Sequence, residues 1–228
     1  MRFSSPSSTD PVSRGRPTPG RISDLVATFD RLGHQVARSG PTSVMDAVAG
    51  AAVTQLPNTR SASITVLRHG RFTTAAATDE FARRADDLQY ELGSGPCVDA
   101  IIEHTVFAPR NVRHDDRWPV YGKRVADELG VASMLSYRLT VEDDDMIAGL
   151  NVYSVVENAY DDDLTTGMLL AAHGALAVSA AGDRERAEGM RRSVASNREI
   201  GIAMGVLMQQ HQLTRDQSFD LLRIASQT

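Results

Sequence analysis

The apolar pattern of residues 197–228 is the feature that most constrains the fold of this chain. A stripe at helical spacings of three and four is formed by Ile200, Ala203, Met204, Leu207 and Met208. Thr214 and Gln217 have the spacing of a capping box, which predicts the start of a second helix. The apolar face of that helix contains Phe219, Leu221, Leu222 and Ala225. Two short amphipathic helices bury too little surface to fold alone, so they need more chain or a partner.

The composition allows a core but provides no basic surface. The chain has 228 residues, 42% of them hydrophobic, which fits one domain of about 150 residues and a smaller module. The net charge is −5, and residues 183–228 carry seven arginines against six acidic residues. This segment is rich in arginine without being a basic patch, so the usual electrostatic footprint of a nucleic-acid binder is missing.

Three features that the sequence lacks predict the cellular compartment of the protein. A single cysteine excludes a disulfide within the chain. No segment is expected to approach the apolar run that a membrane span needs, and the N-terminus lacks the apolar core of a signal peptide. The sequence therefore predicts a cytoplasmic protein without a membrane partner.

Four segments differ in their sequence pattern. Residues 1–20 are rich in Ser, Pro and Gly, which predicts a disordered tail. Residues 21–40 contain one amphipathic helix that ends at Gly40-Pro41. Residues 41–182 mix helices and strands and are predicted to form one domain. Residues 183–228 are predicted to form a linker helix and the terminal module.

Two hairpins are predicted in the mixed domain. Residues 61–68 alternate like a half-buried strand, and residues 71–77 return after a tight turn. Residues 131–141 and 147–156 form the second pair of strands, with the acidic residues 142–145 as an exposed turn. This pattern predicts an antiparallel sheet.

The helices of this domain are bounded by capping and breaking residues. Thr42 or Ser43 is predicted to cap the first helix. A break at residues 93–96 precedes a short helix that runs to about His104. A long helix is predicted from Asp161, where three aspartates favour the positive end of the helix dipole. The mixture of helices and antiparallel strands predicts an α+β fold.

Four phrases in the mixed domain carry a family resemblance. They are Glu91-Leu-Gly-Ser-Gly-Pro-Cys97, Asp116-Arg-Trp-Pro119, Gly130-Val-Ala-Ser-Met-Leu-Ser136 and Gly149-Leu-Asn-Val-Tyr-Ser154. Together they resemble a GAF domain of the kind found in actinobacterial GAF–ANTAR proteins, over about residues 42–182. The resemblance implies an antiparallel sheet flanked by helices, followed by a long helix.

The terminal segment resembles the start of an ANTAR domain, the RNA-binding antitermination module of bacterial regulators. The matching positions are Arg198, Gly201, Ala203, Gly205, Leu207, Met208, Phe219, Leu222 and Arg223. The family more often has a larger apolar residue at the position of Gly201, and it often has Lys at the position of Met204. The family's third helix is not found in this sequence, so the resemblance implies a truncated, partial three-helix module.

The GAF resemblance also implies a ligand pocket. GAF domains commonly bind a small molecule between the sheet and the helices that cover it. The candidate ligand-binding residues are Leu92, Gly95, Cys97, Ile101, Trp118 and Tyr121. In the alternative interpretation, which the sequence favours, Gly93 and Gly95 serve a turn and Trp118 fills the core.

No pattern of catalytic residues or metal ligands is found in the sequence. Cys97 is the single cysteine, so one chain cannot complete the disulfide exchange of a methionine-sulfoxide-reducing GAF protein. Val98 follows it, where a bilin-attaching GAF domain usually has His. The six histidines lack metal-ligand spacing, and residues 114–116 are expected to be a solvated loop. We therefore expect an inert buried thiol, and no enzyme, metal or cofactor.

Together the resemblances imply a signal-responsive regulator. A GAF sensor for an unknown small molecule would be coupled to an output that binds RNA stem-loops as a homodimer and acts in transcription antitermination. Arg198 and Arg223 are the candidate RNA-binding residues, because a guanidinium group can chelate phosphate. The alternative is a ligand-binding or dimerisation GAF module without RNA-binding activity, because the third ANTAR helix is missing.

Overall fold

A computed structural model describes residues 19–103, 105–141 and 146–226. The described helices are α1 (Pro19–Val36), α2 (Pro41–Gln55), α3 (Glu80–Leu92), α4 (Pro96–Glu103), α5 (Pro119–Leu129), α6 (Leu164–His211) and α7 (Arg215–Ala225), with a short 3-10 helix at Val112–His114. The described strands are β1 (Ser61–Arg68), β2 (Arg71–Ala77), β3 (Val106–Phe107), β4 (Ser133–Leu139) and β5 (Met146–Ser154).

The strands form one antiparallel sheet in the order β2-β1-β5-β4-β3. Asn151 on the central strand β5 lies opposite Ser63 of β1 and Ser136 of β4. The register between β1 and β2 shifts between Ile64 and Thr65. The predicted α+β fold, with a GAF-like antiparallel sheet flanked by helices and followed by a long helix, is confirmed.

Both faces of the central strands β1, β5 and β4 are largely buried, and the two faces differ in chemistry. Residues 61–66 of β1 are all buried, so the predicted half-buried strand is wrong. Side chains alternate between faces along a strand, which places Ile64 on one side and Ser63 and Thr65 on the other. The alternation in the sequence therefore separates an apolar face from a polar face, and neither face is exposed over residues 61–66.

The apolar face packs against α1, α2 and the first part of α6. Its core combines aliphatic residues of three central strands with residues of these helices, including Ile64, Leu150, Val48 and Leu170. Gly174 of α6 lies against Val48, where an added Cβ would come within 2.8 Å of a Val48 methyl carbon. The close approach of α6 to α2 therefore depends on a residue without a side chain.

Several helix starts differ from the predicted ones. Gly40 is the N-cap of α2 and Pro41 is its first residue, so Thr42 and Ser43 lie inside the helix and do not cap it. The helix α6 begins at Leu164, because Asp161, Asp162 and Asp163 form a preceding turn. Asp163 instead forms an ion pair with Arg21 of α1.

Some predictions concern positions outside the described residues. Residues 1–18 of the predicted tail, the acidic turn at 142–145 and the helix end at His104 lie there. Positions 19 and 20, at the end of the predicted tail, belong to α1.

The described chain divides into two compact units. The first ends at Ala181 and contains the sheet, and the second begins at Gly182 and ends with α7. Within the second unit, Ser218 is fully buried and Ala203, Met204, Leu207 and Leu222 are half-buried. Large apolar side chains of that unit remain exposed, including Phe219 at 51% and Ile224 at 62%. The two terminal helices therefore leave apolar surface uncovered, as their sequence pattern predicts.

Among the described residues, α6 is long and apolar enough by length and composition to cross a membrane. Its most apolar window of 18 residues has a mean hydropathy of 1.4, and half of that window is buried inside the protein. The prediction that no segment approaches this composition is therefore wrong, because residues 164–182 contain no charged side chain. Composition alone is weak evidence, since buried core helices meet the same criterion.

Gly122 of α5 provides a test of the packing around the 3-10 helix. A Cβ at this position would overlap the backbone carbonyl oxygen of Val112. We expect Gly122→Ala to lower the free energy of unfolding by about 3 kcal/mol, because backbone must move to admit a methyl group. The measurement is urea unfolding followed by circular dichroism.

Gly50→Ala in α2 is the matched control. No heavy atom lies within 4 Å of a Cβ at Gly50. The alanine should therefore raise stability by up to about 1 kcal/mol through its helix propensity. Equal losses in both variants would show that the approach of Gly122 to Val112 is not a packing constraint.

Candidate functional site on the polar face of the sheet

The polar face of the sheet is the largest group of buried polar side chains that the described residues bring together. We define it by the side chains that share this side of the sheet: Ser61, Ser63, Thr65, Thr74, Ser136, Asn151 and Tyr153. The helices α3 and α4 cover it and contribute Asp86, Gln89, Tyr90 and Cys97. Buried polar groups require hydrogen-bond partners, so this face must be organised as a network.

Asp86 of α3 is the centre of that network and is fully buried. Its carboxylate oxygens accept hydrogen bonds from Ser63 Oγ at 3.0 Å, Thr74 Oγ1 at 2.8 Å and Asn151 Nδ2 at 3.2 Å. The Tyr153 hydroxyl also donates to Asp86. One carboxylate therefore joins three strands to one helix.

Burial raises the pKa of Asp86 to about 6, while its hydrogen bonds to Tyr153, Thr74, Ser63 and Asn151 act in the opposite direction. Removing the carboxylate from water disfavours its charged form more than the four donors favour it. Asp86 therefore takes up a proton at a much higher pH than an exposed aspartate does.

A second layer of hydrogen bonds surrounds this carboxylate. The Tyr90 hydroxyl lies 2.7 Å from Thr65 Oγ1 and 3.1 Å from Thr74 Oγ1. The Asn151 amide nitrogen lies 3.0 Å from Thr65 Oγ1. The Gln89 amide nitrogen donates to the Tyr153 hydroxyl at 3.4 Å. These contacts hold the side chains of the network in fixed positions.

Cys97 lies at the start of α4 over this face, and its thiol interacts with Thr65 and Asn151. Burial, together with the negative charge of Asp86, raises the pKa of the thiol to about 12. The thiolate is the reactive form of cysteine, so this thiol is unreactive at neutral pH.

The break before α4 is a turn built on two glycines. Gly93 caps α3 in the left-handed conformation, with φ of 61°. Gly95 has φ of 154°, and a side chain there would overlap Gln89. This proximity lets Gln89 Oε1 accept a hydrogen bond from the Cys97 backbone nitrogen at 2.8 Å.

The two candidate aromatic residues lie in the core beside the polar face. Trp118 and Tyr121 are both about 1% exposed and pack in a cluster with Leu88, Val125 and Met134. The Trp118 indole donates to Asp99 Oδ2 at 2.5 Å. The Tyr121 hydroxyl reaches the Ala85 carbonyl oxygen at 3.4 Å.

The remaining candidates flank the same region. Ile101 is fully buried and lies against Gly149 of β5, while Leu92 is half-buried at the edge of the aromatic cluster. The structure thus gathers the candidate residues around α4, but the sequence did not point to Asp86, Tyr90 or Asn151. The assignment of a ligand to the predicted residues stays a prediction.

Three oxygens on the polar face have no hydrogen-bond partner among the described residues. They are Ser61 Oγ, Ser136 Oγ and Asn151 Oδ1, and all three belong to fully buried residues. An unpaired buried polar group costs about 1–3 kcal/mol. The carboxylate of Asp86 therefore has its hydrogen-bond partners, whereas Ser136 Oγ and Asn151 Oδ1, at the edge of the network, have none among the described residues.

The candidate RNA-binding residues lie in the second unit and are both exposed. Arg223 of α7 pairs with Asp220 at 3.1 Å, one helical turn earlier. Within the described part of the chain, no ion pair or hydrogen bond engages the Arg198 side chain. The predicted capping box is present, since Thr214 Oγ1 accepts from Gln217 N at 3.3 Å and Gln217 Oε1 accepts from Thr214 N at 2.9 Å.

Comparison with protein families assigns both parts of the chain. A model of the GAF domain matches residues 39–179, which is more than half of the chain. The protein belongs to the GAF domain family. A model of the ANTAR domain matches residues 188–228. No curated protein gives a significant match.

Solved structures support the fold of this GAF domain. A putative GAF sensor protein from Burkholderia vietnamiensis has a TM-score of 0.54 and 16% identity, over 74% of this chain and 97% of that one. A free methionine-R-sulfoxide reductase from Neisseria meningitidis, solved with its substrate, has a TM-score of 0.55 and 12% identity. The match covers 76% of this chain and 96% of that one. The N-acylhomoserine lactone-dependent LuxR family transcription factor CepR2 from Burkholderia cenocepacia has a TM-score of 0.54 and 12% identity. The match covers 72% of this chain and 99% of that one. At these identities the likeness shows the fold alone.

The raised pKa of Asp86 predicts how stability changes with pH. The folded protein holds this proton up to about pH 6, whereas the unfolded chain loses it near pH 4. Between these values the folded state binds more protons, so stability falls as pH rises through this window. We expect Asp86→Asn to remove this fall, which is on the order of 3 kcal/mol.

Urea unfolding from pH 4 to pH 8 measures this effect. Asp87→Asn, at the exposed neighbouring position, is the control and should keep the pH profile of the wild type. Parallel profiles for the wild type and Asp86→Asn would contradict the assignment of a raised pKa to Asp86.

Proposed function

We propose that this protein is a cytoplasmic regulator in which a GAF sensor controls an ANTAR output that binds RNA and acts in transcription antitermination. The observation that carries this proposal is the presence of both domain matches on one chain, at residues 39–179 and 188–228. The ANTAR-like segment also supplies an exposed arginine, Arg198, at a position of the family signature.

The sensor part of the proposal rests on the polar face. It carries a buried carboxylate and two neighbouring unpaired oxygens between the sheet and its covering helices, which is where GAF domains bind small molecules. A folding requirement alone would not retain such a face, since apolar side chains fill a buried layer at lower cost.

A homodimer is the form in which we propose that this regulator acts. In the first unit, α6 exposes Leu176 at 68%, and in the second unit it exposes Met190 at 72% and Val194 at 64%. Apolar side chains on a helix surface favour pairing with a second helix. Binding of a ligand would shift the population of helix pairings and so change the output.

The competing function is a GAF module for ligand binding or dimerisation without RNA-binding activity. The near balance of charge in residues 183–228 favours it, as does the engagement of Arg223 by Asp220. An enzyme is a weaker candidate, although a sulfoxide reductase shares the fold. Cys97 is a single buried thiol with a raised pKa, so it is not suited to disulfide exchange.

A gel-shift titration with RNA that contains tandem stem-loops tests the output. We expect Arg198→Ala to weaken binding by roughly tenfold and to lower the slope of affinity against salt by about one, because one phosphate contact is lost. Arg71→Ala, an exposed arginine on the hairpin of the first unit, should bind like the wild type. Absence of a shift for the wild-type chain would favour the module without RNA-binding activity.

Light scattering tests the dimer. We expect Val194→Glu to convert the dimer to a monomer, because a charge would be buried against the partner helix. Ser193→Glu places the same charge at the neighbouring exposed position and should leave the dimer intact. A monomeric wild type at micromolar concentration would exclude the proposed pairing of helices.

A further inference from the structure

We propose that the polar face binds a small neutral molecule through a primary amide group, which pairs with Asn151 and Ser136 beneath α4. This inference rests on the proposed sensor function and names the chemical class of its ligand. It starts from the two unpaired oxygens on neighbouring strands, Asn151 Oδ1 and Ser136 Oγ.

The orientation of the Asn151 amide follows from Asp86. A carboxylate only accepts hydrogen bonds, so the Asn151 atom that lies 3.2 Å from Asp86 Oδ1 must be the amide nitrogen. The same nitrogen lies 3.3 Å from Ser63 Oγ and 3.0 Å from Thr65 Oγ1. The amide oxygen therefore points away from the network around Asp86 and needs a donor from elsewhere.

Ser136 supplies the complementary group. It is the register partner of Asn151, so the two side chains leave the sheet on the same face, with Cβ atoms about 5 Å apart. Asn151 Oδ1 can only accept, whereas the Ser136 hydroxyl can donate. A primary amide presents both functions in one plane, because its N–H can donate to Asn151 and its carbonyl oxygen can accept from Ser136.

The charge of the site excludes anions. The Asn151 side chain is in direct contact with Asp86, so a carboxylate or phosphate at this position would be repelled. Arg138 lies two residues along β4 from Ser136, on the same face, and its guanidinium donates to the Ile101 carbonyl oxygen at 2.8 Å. Asn151 and Ser136 themselves therefore offer the ligand hydrogen bonds from uncharged groups.

Neighbouring side chains limit the size of the ligand. Ile101 packs against Gly149, two residues along β5 from Asn151. Tyr153 lies two residues along in the other direction, and Cys97 covers Asn151 from α4. These three side chains lie around Asn151, so the ligand that we infer must have few heavy atoms.

Acetamide and acetate form a matched pair of probes for the full-length chain, because they have the same shape and differ in charge. We expect acetamide at millimolar concentration to raise the melting temperature in a saturable way, and acetate to have no such effect. Cys97 gives a second signal, since it is the single cysteine of the chain. The buried thiol can meet a disulfide reagent only when α4 opens locally. Acetamide should slow that reaction, because the bound molecule holds α4 in place.

Two serine variants locate the site. Ser136→Ala should weaken acetamide binding by about tenfold, because the carbonyl oxygen of the ligand loses its donor. Its own fold should persist, since the Ser136 hydroxyl has no partner to lose. Ser61→Ala removes an equally buried and unpaired hydroxyl from the same face, and it should bind acetamide like the wild type.

Three outcomes would overturn this inference. Equal effects of acetamide and acetate would refute the exclusion of anions, and equal losses in Ser136→Ala and Ser61→Ala would refute the location. No saturable effect of acetamide would mean that water alone satisfies the unpaired oxygens. Failure of the RNA gel shift would leave this result unchanged, because acetamide binding is measured without RNA.

Discussion

Burial of a polar sheet face is the constraint on which the rest of the first unit depends. The apolar face needs only close packing from α1, α2 and α6, whereas each polar group on the opposite face needs a partner at hydrogen-bonding distance. Asp86 meets most of that need, because its carboxylate accepts from four side chains on three strands. The positions of α3 and α4 follow from this requirement, since α3 carries Asp86 and Gln89 of α3 holds the first turn of α4.

Much of the fold could be predicted because its signals are local. The hairpin at His69-Gly70, the break at Gly93 and the capping box at Thr214 each depend on residues adjacent in sequence, and the structure contains all three. The helix starts at Pro41 and Leu164 were harder to predict from the sequence. A cap depends on the backbone conformation of one residue, and Gly40 caps α2 without a side-chain hydrogen bond. Asp163 lies directly before α6 and pairs with Arg21, a contact between residues far apart in sequence.

The burial of the polar face could not be predicted from the sequence, for a different reason. Ser61, Ser63 and Thr65 alternate with Ala62, Ile64 and Val66, and this pattern is the same for a strand that faces water and for one that faces a buried network. The signal that could have distinguished them lies on α3. Asp86 follows Ala82 at a spacing of four and neighbours Ala85, which places a carboxylate on the inward face of the helix. Without the sheet register, nothing in the sequence joins that carboxylate to Asn151.

A buried carboxylate with a raised pKa is not explained by stability. It lowers the free energy of unfolding at neutral pH, and a well-packed apolar residue would fill the same volume at lower cost. The unpaired oxygens of Asn151 and Ser136 add a second cost on the same face. A buried carboxylate and unpaired buried oxygens at adjacent positions both lower stability. Such departures from what favours folding concentrate at functional sites. Asp86 orients the Asn151 amide, and that orientation leaves one acceptor directed away from the network. Under the proposed ligand site, the carboxylate of Asp86 acts as a positioning group for the Asn151 amide, and its energetic cost is linked to that role.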